Sequence, residues 1–102
     1  MRAIVIDDSR TVRQILSGIL REVGFSHIVE AEDGQDALAV LEREGVPDLA
    51  LVDWNMPRMN GVEFLKIVKD DEFLKQIPVV VLTTSKEEQD KIKSFMLGVA
   101  GY

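Results

Sequence analysis

The sequence predicts a doubly wound α/β domain, a parallel sheet with helices packed on both faces. Three observations predict it. Short apolar, β-branched runs alternate with helix-periodic stretches over 102 residues, in the order βαβαβαβα. Gly24 and Gly45 stand just past two of the helical stretches, where left-handed backbone ends helices. Two apolar runs stop abruptly on carboxylates, at Asp7-Asp8 and at Asp53.

Arg2 to Ile6 reads as the first strand. Asp8 or Ser9 can cap the helix that follows, whose stripe of Val12, Ile15, Leu16, Ile19, Leu20 and Val23 has helical spacing. His27 to Glu30 is a weaker strand with polar ends, suited to a sheet edge. Asp33-Gly34 opens a second helix, Gln35 to Glu44, with Ala37, Val40 and Leu41 inward. The third strand, Asp48 to Val52, is almost pure hydrocarbon and so reads as buried on both faces. It ends at Asp53, and Pro57 in the loop Trp54 to Asn60 prevents a helix from starting at once.

A third helix is expected over Gly61 to Lys69, with Val62, Leu65 and Val68 inward and Phe64 or Ile67 flanking. Asp70 to Gln76 reads as a polar connection with Phe73 and Leu74 tucked down. Ile77 to Leu82 is the most hydrophobic strand, and Pro78 sits near its start, where a missing N–H is tolerated. It ends in Thr83-Thr84-Ser85. A fourth helix is expected over Lys86 to Leu97, and the sequence stops at Tyr102.

Composition narrows the function classes. The length suits one domain. No apolar run approaches the roughly 20 residues of a membrane helix, and no signal-peptide pattern opens the sequence. Cysteine is absent, which excludes disulfides and thiolate metal sites and is compatible with a cytoplasmic location. A net charge of −6 argues against nucleic-acid binding by this domain, because phosphate neutralisation needs a basic face. His27, the lone histidine, reads as a surface or satisfied residue, and nothing supports phosphate relay through it.

An Asp after a strand commonly forms a turn or caps a helix, so Asp53 alone is ambiguous. In the doubly wound order 2-1-3-4, however, the first and third strands are neighbours, with ends about 4.8 Å apart. Asp7, Asp8 and Asp53 then converge. Carboxylates that close repel one another unless a cation sits among them, and oxygen donors without His or Cys favour Mg2+. The backbone carbonyl of Asn55 is a further candidate ligand. With a divalent ion present, Asp53 can act as a nucleophile toward a phosphoryl group. Thr83, at the neighbouring strand end, is placed to hydrogen-bond a phosphoryl oxygen, although a strand or helix-capping threonine would look the same.

Val5-Ile6-Asp7-Asp8-Ser9, Asp53-Trp54-Asn55-Met56-Pro57, Met59-Asn60-Gly61 and Val81-Leu82-Thr83-Thr84 resemble the response-regulator receiver domain, in order and end to end. The resemblance implies a three-layer, flavodoxin-like sheet of order 2-1-3-4 in one domain over residues 1–102. It implies a non-enzymatic phosphoacceptor switch of a two-component system, with Asp53 taking phosphate from a histidine kinase's phosphohistidine. Mg2+ would be held by Asp8 directly and by Asp7 through water, together with Asp53 and Asn55. Thr83 would swing toward the phosphoryl group, Thr84 would leave room for it, and Tyr102 would be the switch aromatic.

The resemblance also marks departures. Receivers continue through a fifth strand ending in Lys-Pro and a fifth helix, and this sequence has neither. Lys86 lies beyond a different strand and does not replace that lysine. The expectation is therefore an exposed edge along the fourth strand, inviting a homo-oligomer, a strand-exchanged dimer or a complementing partner. A degenerate receiver acting as a binding or assembly module remains a second reading. Phosphatase chemistry of the haloacid-dehalogenase type is disfavoured, since its second Asp is replaced by Ser9. No Gly-x-Gly-x-x-Gly is present for a dinucleotide.

Overall fold

The computed structural model describes residues 1–53 and 61–82, the side chains at 61 and 62 excepted. Strand β1 (Arg2–Ile6) leads to helix α1 (Arg10–Val23), β2 (His27–Ala31), α2 (Gly34–Glu44) and β3 (Leu49–Asp53). Helix α3 (Gly61–Asp70), a 3₁₀ turn (Leu74–Gln76) and β4 (Val79–Leu82) follow. All pairings are parallel, in the order β2-β1-β3-β4. This is the order expected from the sequence, with β2 at an edge. The expected fourth helix lies outside the described residues, among which no helix is long and apolar enough to cross a membrane.

Strand alternation sends successive side chains to opposite faces and builds two cores. Ile4, Ile6, Ala50 and Val52 face α2 and α3, where they meet Ala37, Val40, Leu41, Phe64 and Val68. Ala3 and Val5 face α1 and pack with Leu20, while Leu49 and Leu51 cover that side only partly. The α1 stripe divides accordingly. Leu16 and Leu20 turn toward the sheet, whereas Val12, Ile15, Ile19 and Val23 remain exposed.

The helix ends follow their local chemistry. Ser9 caps α1 by accepting a hydrogen bond from the Val12 N–H at 3.3 Å. Gly24, at φ 121°, ends it with a Schellman arrangement: its N–H donates to Arg21 O and that of Phe25 to Leu20 O. Asp33 caps α2 through the Asp36 N–H at 2.8 Å, and Asp36 reaches back to the Glu32 N–H at 3.1 Å. Gly45, at φ 87°, ends α2, and Arg2 then donates to the carbonyls of Glu44 and Val46. That clamp fixes the C-terminal end of α2 beside the start of β1.

Two packing expectations are corrected. Phe64 is not a flanking residue; it is fully buried, at 0% exposure, against β3 and α2. Phe73 is not tucked down but 72% exposed. The Asp71 carboxylate accepts from the N–H groups of both Phe73 and Leu74, forming a tight turn in which only Leu74 packs on the core. The strand bounds also shift slightly, β3 extending to Asp53 and β4 beginning at Val79.

Phe64→Ala is expected to cost about 3–5 kcal/mol of stability, whereas Phe73→Ala should stay within about 0.5 kcal/mol of the parent in urea unfolding. Ser17 gives a second test. It is buried on α1, and its Oγ has no hydrogen-bond partner among the described residues. Ser17→Ala removes that unsatisfied group and improves helix propensity, so the unfolding free energy should rise by about 1 kcal/mol.

Candidate functional site

The C-terminal ends of β1 and β3 carry the candidate site. Ile6 pairs with Val52, so the residues that follow, Asp7 and Asp53, emerge side by side. Carboxylate oxygens of Asp7, Asp8 and Asp53 lie within 4.8 Å of one another. Asp7 is buried, Asp53 half-buried and Asp8 exposed, so the group runs from the sheet end out to solvent.

Local hydrogen bonds set these positions. The Asp7 N–H continues the sheet by donating to Ala31 O at 3.0 Å. Its Oδ1 accepts from the Ser9 N–H at 2.8 Å, which bends the chain into α1 and turns Asp8 outward. Arg13, one turn into α1, donates Nη1 to the Asp7 carbonyl at 2.6 Å and Nε to Glu30 Oε1 at 3.0 Å. Its guanidinium thereby ties the acidic turn to β2.

Burial raises the Asp7 carboxyl above the ordinary carboxylate range. The Ser9 N–H opposes that rise, the neighbouring Asp8 adds to it by charge and by hydrogen bond, and the Arg13 charge offsets part of it. The ionised cluster is therefore electrostatically costly by itself.

The donor set fits a hard divalent cation. It supplies carboxylate oxygens without His or Cys, the pattern that suits Mg2+ or Ca2+ rather than a softer metal. Mg2+ binds oxygen at about 2.0–2.1 Å, so opposed ligands stand about 4.2 Å apart. A spread reaching 4.8 Å accommodates such an ion with slight contraction or with one carboxylate acting through water.

Asp7, Asp8 and Asp53 are thus brought together as the sequence predicts. Asn55, Thr83, Thr84 and Tyr102 lie outside the described residues. Sequence reasoning missed Arg13 and the Ser9 N–H as positioning groups. A signal was present: α1 begins with Arg10 and Arg13 and has no acid in its first turn, against the preference of the helix dipole. A basic residue tolerated there has another partner.

A family model described as "Response regulator receiver domain" matches residues 3–102. Chemotaxis protein CheY-3 of Vibrio cholerae is 39% identical over the whole chain, which covers 78% of that protein. Chemotaxis protein CheY of Pseudomonas aeruginosa is also 39% identical over the whole chain, covering 82% of its length. Among solved structures, the phosphorylated cyanobacterial phytochrome response regulator RcpA superposes with a TM-score of 0.79 at 36% identity, over 94% of this chain and 74% of that one. The strand order, the acidic sheet end and these likenesses agree, and the chain belongs to the response regulator receiver domain family.

Proposed function

We propose that this domain is the phosphoacceptor switch of a two-component pathway, with Asp53 receiving the phosphoryl group from a histidine kinase's phosphohistidine. The observation that carries the reading is the convergence of the Asp7, Asp8 and Asp53 carboxylates at the ends of β1 and β3. In the transfer, an Asp53 carboxylate oxygen forms a bond to phosphorus as the bond to the donor nitrogen breaks, and the imidazole leaves. Asp7, Asp8 and Asp53 would hold Mg2+, and by the sequence motif the Asn55 carbonyl would join them. When bound, the ion offsets the charge on the carboxylates and on the phosphoryl oxygens.

The chain's own groups do the positioning. Ser9 and Arg13 fix Asp7, and β3 fixes Asp53. By the sequence motif, Thr83 donates a hydrogen bond to a phosphoryl oxygen, Thr84 leaves access and Tyr102 reports the state. The domain is regulatory, and its chemistry is limited to its own phosphorylation and slow dephosphorylation.

Incubation with acetyl phosphate and Mg2+ should give acid-stable, base-labile labelling of the parent and none of Asp53→Ala. Full labelling of that variant would overturn the assignment. Mg2+ should quench Trp54 fluorescence in the parent, and Asp8→Ala should remove the response.

A stability measurement tests the electrostatics separately. The folded-state pKa of Asp7 lies above its unfolded value. Its contribution is therefore fully present below the unfolded pKa and is lost as pH rises through the folded one. In EDTA, Asp7→Asn should melt higher than the parent at neutral pH, with the difference shrinking in acid. Added Mg2+ should raise the melting temperature of the parent but not of Asp7→Asn.

A further inference from the structure

An open groove lies at the opposite end of the domain, between the C-terminal halves of α2 and α3 and the 3₁₀ turn. It measures about 470 Å3, within the range of functional ligand pockets of about 300–1,000 Å3. Leu38, Leu41, Ile67 and Leu74 form its apolar lining, and Phe73 stands at its mouth with most of its ring in solvent. The Arg2 clamp on the Glu44 and Val46 carbonyls places this end beside the start of β1, away from Asp7 and Asp53.

The charge around the groove selects its occupant. The charged residues lining it are Glu42 and Asp71, both acidic. Asp71 is held below the usual carboxylate range by the Leu74 and Phe73 N–H groups, and so stays ionised. Asp70 and Glu72 flank it and are exposed. Among the described residues no cation lines the groove: Lys75 is paired with Glu72 at 3.2 Å, the Arg2 guanidinium is spent on the two carbonyls, and Arg43 and Lys69, in the last turns of α2 and α3, are not among its lining residues. An apolar floor with an acidic rim complements a helix that presents apolar anchors one turn apart between basic residues.

We propose that the α2–α3 groove docks a basic amphipathic helix of a partner protein, with Phe73 as the anchoring aromatic and Glu42 and Asp71 as the charged rim. Phe73 contributes little to the core and its exposed ring is available to a partner. Docking there leaves the acidic site open, and one domain can hold this partner and be phosphorylated at the same time.

The test uses the whole chain and two fluorescein-labelled helix-forming peptides sharing one apolar pattern, one carrying Lys and the other Glu. The Leu/Lys peptide should bind saturably, and Asp53→Ala should bind it equally well, which separates this result from the fate of the phosphoacceptor reading. Phe73→Ser should weaken binding about tenfold. Glu42→Lys should weaken it about fivefold and flatten its salt dependence, and it serves as the deciding variant if Phe73→Ser lacks the parent's circular dichroism. Backbone amide shifts on binding should centre on residues 38–46 and 67–75. Equal binding of the Leu/Glu peptide, unchanged affinity in Glu42→Lys, or shifts centred on α1 would overturn the proposal. So would self-association that Phe73→Ser dissolves, since the groove would then belong to a second copy.

Discussion

The parallel pairing of β1 with β3 is the constraint on which the rest of this domain depends. It places Ile6 beside Val52 and so brings the next carboxylates, Asp7 and Asp53, to one point. Like charges at that separation repel by roughly 1 kcal/mol in water and by several times more where water is partly excluded. The sheet must therefore be stiff enough to resist its own active end. The stiffness comes from alternation: Ile4, Ile6, Ala50 and Val52 lock against α2 and α3, while Ala3 and Val5 lock against α1. Moving either strand by one residue would exchange these faces and separate the carboxylates.

Two arginines secure the ends of this frame by the same chemistry. Arg13 spans from the Asp7 carbonyl to Glu30, tying β1 to β2 just where the acidic turn begins. Arg2 spans the carbonyls of Glu44 and Val46, while its own N–H meets the Asp48 carboxylate at 2.8 Å. Charged donors make stronger hydrogen bonds than neutral ones, and a planar guanidinium fixes direction as well as distance. The consequence differs at the two ends. Near the acidic cluster, Arg13 supplies positive charge that lowers the cost of ionising Asp7. At the far end, Arg2 is occupied by backbone, and the groove beyond it keeps its acidic rim.

Periodicity carried the architecture because these elements obey short-range rules. The Gly24 and Gly45 stops and the Asp33 cap are each written in a few neighbouring residues. The convergence of Asp7, Asp8 and Asp53 was legible for a related reason, since strand order alone brings two strand ends together. What sequence could not rank was competition among apolar residues for one face. Phe64 and Ile67 are three positions apart on α3, yet Phe64 is fully buried and Ile67 is 40% exposed. The direction of Phe73 was hidden because it depends on the Asp71 carboxylate seizing two backbone N–H groups. Arg13 was overlooked because its role rests on a backbone carbonyl, that of Asp7, and on Glu30, which is 17 residues away and belongs to no motif.

The graded solvation of the three acids supports different tasks for them. An acceptor carboxylate must be reached by a phosphoryl donor, whereas an anchoring carboxylate need only face the ion. Asp7 is 7% exposed and has one oxygen engaged by the Ser9 N–H, so a donor has little approach to it. Asp8 is exposed on the turn that leads into α1, outside the regular sheet. Asp53 is the last residue of β3, held by the ladder with Leu82 beside it, and it remains half-open to solvent. A nucleophile profits from an orientation fixed by the scaffold, and among the three only Asp53 combines a sheet-fixed backbone with an accessible side chain. Rigidity and access thus both support the proposal that Asp53 is the phosphoacceptor.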